Sequence, residues 1–404
     1  MDHQAHAQAH HVMSEVFAVA GQNSISDIQI RSGNWIYCHT KRGLEIIKRL
    51  GELPADTVMN VVEYLYGRQE AESVGESAKL QNVKDVKTRL FDDKVADFST
   101  EGFPLPDGSI SGRMRVQAHL STSGPGLTCR ILSDEIADLT TLGLADDTTR
   151  AVCEFMKRRQ GFGLVTGQTG SGKSTTLAAI LDWLRQNQPR HIVTVEDPIE
   201  YRYSRFLPKP AEDGSLVPSP GFMTQQEVGK HVATYKQGLK DALRKAPHVI
   251  LIGEIRDRET MEIAIEAAQT GHVVISTLHT NGAVKTLSRI LEFFPQAQHK
   301  SMLGRLSEIL MFILSQGLIP TEKGRVLNYE FLQNNSAAVR SGIASYDGAA
   351  KSLEDAIRHS GNIEWDANLR NLLNMGKISH QAFQMNRMNE EEGEELLFIR
   401  GKAS

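Results

Sequence analysis

A glycine-rich stretch at residues 163–176, GLVTGQTGSGKSTT, places the strongest constraint on what this chain can fold into. It matches the pattern G-x-x-x-x-G-K-S, with the fixed positions filled by Gly167, Gly172, Lys173 and Ser174. A short apolar run precedes the loop and an apolar stripe with helical spacing follows it, as expected for a strand that leads into a helix. The match therefore predicts a phosphate-binding loop in an α/β domain.

The residue types of this loop suit a bound nucleoside triphosphate. Glycines allow the backbone to turn its N–H groups towards an anion, and the start of a helix adds its dipole. We expect Lys173 to reach the β- and γ-phosphates and the hydroxyl of Ser174 to bind Mg²⁺. The predicted nucleotide-binding set is Gly167, Gln168, Thr169, Gly170, Ser171, Gly172, Lys173, Ser174 and Thr175.

Length and composition indicate a soluble protein of two or three domains. The chain has 404 residues, of which 40% are hydrophobic and 23% charged. Its net charge of −4 gives no broad electrostatic footprint for nucleic acid or for an anionic membrane. The longest apolar segment, Ile309–Leu314, is too short to span a bilayer, and residues 1–12 do not have the pattern of a signal peptide. We therefore expect a cytoplasmic protein without direct membrane insertion.

Cysteine usage supports the same compartment. Cys38, Cys129 and Cys153 are isolated in the sequence and form no C-x-x-C pair. They provide neither a four-cysteine zinc site nor a disulfide framework, as is usual in a reducing cytoplasm.

The N-terminal third predicts a small α+β domain at residues 23–133, after a flexible tail or frayed helix at residues 1–22. Alternating residues around the Gly33-Asn34 turn predict a hairpin, and residues 54–68 have helical periodicity. Two further strands, at 111–120 and 127–132, carry the arginines Arg113, Arg115 and Arg130. Arginines on strands usually face solvent, so the residues alone favour a surface role for these three. A linker at residues 134–142 is expected to follow.

From residue 143 to residue 335 strands and helices alternate, which predicts a parallel sheet with helices on both faces. Polar side chains follow three of its strands: Glu196, Glu254 and His279. The carboxyl ends of parallel strands share one edge of the sheet with the phosphate loop, so these side chains are candidate catalytic residues. Helix capping is the alternative for Glu196, a solvated strand end for Glu254, and a structural role for a second histidine, His272.

Two other segments are predicted to lie outside the sheet. Residues 209–222, rich in Pro, Gly and Ser, indicate a flexible surface insertion. Residues 336–404 indicate a small helical C-terminal region, with helices at 353–360 and 367–387 and a solvated acidic run at 390–395.

Four sequence blocks now stand in order: GQTGSGKS, VTVEDPIEY, VILIGEIRD and TGHVVISTLHT. Together they resemble the Walker A, Asp box, Walker B and His box of the ATPases that serve type II secretion, type IV secretion and type IV pili. The likeness is strongest to the PilT and DotB branch of that superfamily and extends from about residue 26 to residue 340. Gly253 is a departure from the common Walker B pattern, because an aspartate often stands at that position.

This resemblance implies a homo-hexameric ring in which each subunit has a PAS-like domain followed by a RecA-like ATPase domain. It implies ATP and Mg²⁺ as cofactors and inner-membrane components of a secretion or pilus machine as partners. By position, Glu196 and Glu254 match the acidic catalytic residues, and His279, with His272 as its partner, matches the box that senses the nucleotide. Arg115 and Arg130 fall in the N-terminal stretch that supplies arginines to the phosphates.

The same resemblance leaves several functions open. The chain lacks the four-cysteine module of pilus-extension and type II motors, and its 209–222 insertion favours a motor of type IVB secretion or conjugation. A pilus-retraction motor is the alternative, and a DNA-translocating RecA-like ATPase is disfavoured by the acidic charge balance. The sequence does not decide which of Glu196 and Glu254 activates the water.

Overall fold

The computed structural model describes residues 3–20, 25–40, 43–73, 86–105, 111–132, 135–322, 324–348, 353, 355 and 361–388. The chain divides into two compact units, Met1–Glu135 and Ile136–Ser404. The boundary between them falls inside the segment, 134–142, for which a linker is expected.

The first unit contains one antiparallel sheet and three helices in its described part. The strands are β1 (Ile25–Arg31), β2 (Ile36–Thr40), β3 (Gly43–Ile47), β4 (Val95–Thr100), β5 (Met114–Ser121) and β6 (Gly124–Ile131). They are ordered β3-β2-β1-β6-β5-β4, and each neighbouring pair is antiparallel. The helices are α1 (His3–Ala20), α2 (Ala55–Ser73) and α3 (Val86–Asp93).

Helix α1 differs from the flexible tail expected for residues 1–22. Its apolar side chains recur at helical spacing and are buried in the core of the first unit: Ala9, Val12, Met13, Val16 and Phe17. The rings of His6 and His10 also pack edge-on against Tyr64, with centroids 4.8 and 6.0 Å apart. His6 and His10 therefore take part in aromatic packing, whereas His3 and His11 are exposed.

The second unit is built on a seven-stranded sheet ordered β13-β12-β7-β11-β10-β8-β9. The strands are β7 (Gly161–Thr166), β8 (His191–Glu196), β9 (Phe222–Glu227), β10 (Val249–Ile252), β11 (Val273–Leu278), β12 (Leu310–Thr321) and β13 (Gly324–Gln333). Strands β7 to β12 are parallel to one another, whereas β13 runs antiparallel to β12.

Helices cover both faces of this sheet, as the alternation of strands and helices predicts. The helices are α4 (Asp146–Met156), α5 (Lys173–Asn187), α6 (Tyr235–Ala242), α7 (Arg258–Gln269), α8 (Ala283–Glu292), α9 (His299–Ile309), α10 (Ala337–Ala344), α11 (Trp365–Asn374) and α12 (His380–Asn386). Along β10, Ile250 and Ile252 join the apolar cluster of α6 to α9, while Val249 and Leu251 join that of α4 and α5. Because successive side chains of a strand point to opposite faces, each face of the sheet is buried in a hydrophobic core.

The segment predicted as a flexible insertion has regular backbone pairing. Leu207 N donates to Val217 O at 2.8 Å, and Ser219 N donates to Arg205 O at 3.0 Å, so the chain between β8 and β9 folds back on itself. It then forms β9, which adds to the sheet beside β8. The sequence did not predict this strand, because residues 222–227, FMTQQE, are two apolar residues followed by four polar ones and do not alternate.

The C-terminal region differs from prediction in its segmentation. The single helix expected at 367–387 is two helices, α11 and α12, because Gly376 takes a positive φ of 67° and Ser379 caps the second helix through Ala382 N. Most of the helix expected at 353–360, and the whole acidic run at 390–395, lie outside the described residues. Within the described part, no helix is long and apolar enough to cross a membrane.

The three cysteines are free and buried. Burial raises the pKa of the Cys38 thiol to about 12 and that of the Cys153 thiol to about 11, so both stay protonated at neutral pH. A protonated, buried thiol is a poor nucleophile, and these residues therefore belong to the packing of the protein.

Candidate functional site

The predicted site residues of the second unit converge on one edge of the sheet. The phosphate loop follows β7, Glu196 ends β8, Glu254 follows β10 and His279 follows β11. Since β7, β11, β10 and β8 are parallel neighbours in that order, their carboxyl ends lie side by side. The sequence prediction of a shared edge thus agrees with the sheet topology.

The phosphate loop depends on glycine at the first fixed position. Gly167 has a φ of 142°, and Gly170 and Gly172 also have positive φ values, 79° and 89°. A Cβ on Gly167 would lie 2.2 Å from the backbone oxygen of Gln316 and 2.6 Å from Ser171 Oγ. Only a residue without a side chain fits between this strand end and β12.

We expect Gly167→Ala to destabilise the protein by roughly 2–3 kcal/mol, because the methyl group clashes and the backbone is strained. Gly170→Ala is the matched control, since its Cβ would meet nothing within 4 Å and only the backbone strain remains. Chemical denaturation of both variants, with ATP binding measured alongside, checks the difference. Equal stability of the two variants would contradict the close packing of Gly167 against β12.

The side chain of Lys173 is hydrogen-bonded to the backbone of its own loop. Its Nζ donates to the backbone oxygens of Gly167 and Gln168 at 2.8 and 2.9 Å. Burial lowers the pKa of Lys173, while the carboxylates of Glu254 and Glu200 oppose that shift. The lysine is therefore a largely buried cation that is held over the loop by carbonyl groups.

A polar cluster beneath the loop was missed by sequence reasoning. Gln316, on β12, donates from Nε2 to Ser171 O at 2.8 Å. Three buried atoms around it have no hydrogen-bond partner within the described residues: Thr166 Oγ1, Ser171 Oγ and Gln316 Oε1. Because Gln316 lies about 145 positions away from the loop in sequence, only the pairing of β12 with β7 brings it there.

Glu196 is a partly buried carboxylate at the end of β8. Its Oε1 accepts from Thr194 Oγ1 at 2.6 Å and from Gln225 Nε2 at 3.4 Å. Burial raises the pKa of Glu196 to about 7 against these hydrogen bonds, and the carboxylates of Glu200 and Glu227 raise it further. A carboxyl group with this pKa exchanges protons near neutral pH.

Glu254 and His279 lie together. The Glu254 carboxylate pairs with Arg256, and its Oε2 is 3.6 Å from His279 Nε2. The carboxylate side chain is only 17% exposed, whereas the histidine side chain is 53% exposed. Thr277 Oγ1 donates to Gly253 O at 2.6 Å and so fixes the end of β11 to the end of β10.

The second histidine does not join this group. His272 precedes β11, so it lies at the opposite end of that strand from His279, about 20 Å away at the usual rise per residue. Its Nδ1 is 3.1 Å from the backbone oxygen of Ala267, near the end of α7. Within this chain, the contacts of His272 agree with the structural alternative.

The arginines lie on the sheet of the first unit. Arg115 on β5 is directly opposite Arg130 on β6. The Nε of Arg130 donates to Asp27 Oδ1 at 2.8 Å, and the Arg113 side chain is buried. The structure thus places Arg115 and Arg130 side by side on one sheet, and the surface position expected for Arg113 is wrong.

Ser174 is the residue of the loop whose hydroxyl could hold Mg²⁺. Ser174 offers its partly exposed hydroxyl in the first turn of α5, next to Lys173. In the part of the chain that is described, no group of three or more His, Cys, Asp and Glu side chains could hold a metal ion.

A second residue that sequence reasoning missed, Tyr201, contacts the first turn of α5. Its hydroxyl oxygen is 2.9 Å from Thr175 Oγ1.

The fold and the site define a mixed α/β protein with a phosphate-loop site. Residues 105–387 match the family model described as Type II/IV secretion system protein. The chain therefore belongs to this family, which confirms the resemblance found from the four sequence blocks.

Individual relatives are similar in sequence or structure over nearly the whole chain. The chain is 32% identical over 374 residues to a twitching motility protein of Neisseria gonorrhoeae, covering 91% of this chain and 89% of that protein. It is similar to the pilus retraction motor PilT solved with bound ADP, with a TM-score of 0.76, 31% identity and coverage of 95% and 99%. It is also similar to the ATPase DotB of Legionella pneumophila, with a TM-score of 0.71, 26% identity and coverage of 92% and 93%.

Proposed function

We propose that this chain is a motor that binds and hydrolyses ATP with Mg²⁺. The observation that carries the proposal is the convergence of the 167–175 loop, Glu196, Glu254 and His279 at one edge of a parallel sheet. Relatives named as a pilus retraction ATPase and a motor with bound ADP support it. In this proposal the second unit is a RecA-like ATPase domain and the first is a PAS-like domain.

The proposed roles follow from the placement of each side chain. Lys173 and the backbone of the loop bind the phosphates, and Ser174 holds the metal ion through its hydroxyl. With Mg²⁺ held at Ser174, charge on the phosphate oxygens would be neutralised. Because phosphoryl transfer passes through a loose transition state, positioning and charge neutralisation account for most of the catalysis.

Between the two carboxylates, Glu254 is the better candidate to orient the attacking water. Its carboxylate pairs with Arg256 and lies 3.6 Å from His279 Nε2, and a carboxylate oxygen accepts a hydrogen bond from water. Glu196, with a pKa raised to about 7, is partly protonated at neutral pH. We therefore assign Glu196 to organising the site and His279, 3.6 Å from Glu254, to sensing the state of the nucleotide.

In the assembled ring, Arg115 and Arg130 are proposed to supply positive charge to the phosphates. Arg115→Ala is expected to lower kcat for ATP by at least about tenfold and to change ATP affinity much less, as for arginines that act on the transition state. Arg150→Ala, on the exposed surface of α4, is the control and should retain the parent rate. An unchanged kcat in Arg115→Ala would return that arginine to a surface role.

The motor is proposed to act as a homo-hexamer on inner-membrane components of a type IVB secretion or conjugation system. Two observations support this choice: the long hydrogen-bonded segment between β8 and β9, and the similarity to DotB. Pilus retraction is the second candidate, favoured by the twitching motility relative that covers 91% of the chain.

Two experiments test the proposal. Purified chain should hydrolyse ATP and should increase in size to a hexamer when ATP is added, as measured by light scattering. In the host, deletion of the gene should abolish substrate or plasmid transfer and leave twitching intact if the motor serves secretion. Loss of twitching with intact transfer would select the second candidate, and absence of ATP hydrolysis would refute the motor.

A further inference from the structure

A side chain from another element lies against the end of β10, the strand that resembles Walker B. Gly253 stands where an aspartate is common, and a Cβ added there would lie 3.1 Å from the hydroxyl oxygen of Tyr235. The same Cβ would lie 3.3 Å from Val195 O and 3.4 Å from Glu196 Cα. The phenol of Tyr235 therefore fills the space that a Walker B side chain would need.

Helix α6 holds this phenol in place. Tyr235 is its first residue, and the preceding Thr234 caps the helix by accepting from Gln237 N at 3.1 Å. One turn on, Gly238 lies so close to Val195 that an added Cβ would be 2.8 Å from its Cγ1. The buried side chain of Leu239 anchors the helix in the core. The tyrosine ring is thus fixed against the ends of β8 and β10.

The charged groups around the hydroxyl come from both strand ends. Glu254 and Arg256 face it from the segment after β10, and Glu196 and Asp197 face it from the end of β8. Burial, reinforced by the negative charge of Glu254, raises the pKa of Tyr235 far above its usual value. The phenol therefore keeps its proton and can serve as a hydrogen-bond donor to a carboxylate.

We propose that Tyr235 is a positioning residue of the hydrolytic site, whose hydroxyl donates to the Glu254 carboxylate when nucleotide is bound. The inference rests on the proposed ATPase function and adds one residue to it. A donor to the carboxylate fixes its orientation, and an oriented carboxylate is better placed to activate the water. Tyr235 acts through Glu254 and is not itself in contact with the reacting atoms.

Tyr235→Phe tests this role, because the substitution removes one hydroxyl and keeps the ring. We expect kcat for ATP to fall about tenfold, with KM for ATP within about twofold of the parent value. We also expect binding of a fluorescent ATP analogue to stay near the parent affinity, since the hydroxyl acts through Glu254 on the chemical step. Tyr346→Phe is the control: its hydroxyl contacts Ser288 Oγ at 2.6 Å, outside the site, and its rate should match the parent.

A second variant tests the geometry separately. Gly253→Ala places a methyl group against the Tyr235 hydroxyl and should lower kcat in the parent background. In the Tyr235→Phe background, the same substitution should lower kcat by a smaller factor, because the hydroxyl that the methyl group displaces is already absent. Additive effects of the two substitutions would contradict the contact.

The outcomes separate this inference from the function on which it rests. If the parent hydrolyses ATP and Tyr235→Phe keeps the parent kcat, the positioning role is overturned and the ATPase function stands. If kcat falls together with ATP affinity and the melting temperature drops, the hydroxyl is structural and the inference is again overturned. If the parent does not hydrolyse ATP, the proposed function fails and the inference fails with it.

Discussion

Glu254→Gln is expected to lower steady-state ATP hydrolysis by about a thousandfold while ATP still binds with nearly the parent affinity. The amide has the shape of the carboxylate but cannot polarise a water by accepting its proton. The groups proposed to bind the phosphates, Lys173 and the 167–175 loop, are unchanged by the substitution. The expected defect is therefore confined to the chemical step.

Phosphate release at saturating ATP and binding of a fluorescent ATP analogue measure the two quantities separately. Glu262→Gln is the matched control, because Glu262 pairs with Arg258 on the exposed surface of α7. Turnover of Glu254→Gln near the parent rate would refute the role assigned to Glu254. In that case Glu196→Gln, made in parallel, would be expected to show the loss instead.

The location of the site could be predicted because each of its main residues lies just after a buried strand. Apolar runs and the loop pattern identify the strands of Glu196, Glu254 and His279, and parallel topology brings their ends together. Tyr235 and Gln316 could not be predicted in the same way. Each reaches the site because its helix or strand, remote in sequence, packs there. A pattern within one element does not predict which distant residues it will contact.

The errors in the fold have equally specific causes. Helix α1 was missed because His6 and His10 count as polar in a periodicity but pack as aromatic rings against Tyr64. The break between α11 and α12 depends on the positive φ of Gly376, and one glycine does not reveal its conformation in sequence. Strand β9 lies at the sheet edge, where an exposed face leaves little alternation to read.

Lys173→Ala should abolish both nucleotide binding and hydrolysis, in contrast to Glu254→Gln. Its Nζ donates to two backbone oxygens of the loop, those of Gly167 and Gln168, and a bound triphosphate would take over these bonds through its phosphate oxygens. Hydrogen bonds to charged groups contribute roughly 1.5–3 kcal/mol each, so loss of two of them weakens ATP binding by more than about a hundredfold. Alanine also removes the cation that neutralises phosphate charge in the transition state.

Titration of the Lys173→Ala variant with ATP in a calorimeter checks the affinity, and thermal unfolding checks that the fold survives. Lys157→Ala is the control, since Lys157 pairs with Glu154 on the exposed side of α4 and its loss should leave affinity unchanged. Lys173→Arg should also bind poorly, because the larger guanidinium does not fit the enclosed position of a buried side chain. A folded Lys173→Ala variant that binds ATP as tightly as the parent would mean that the phosphates do not occupy the loop, and the assignment of Ser174 and Glu254 would then lose its basis.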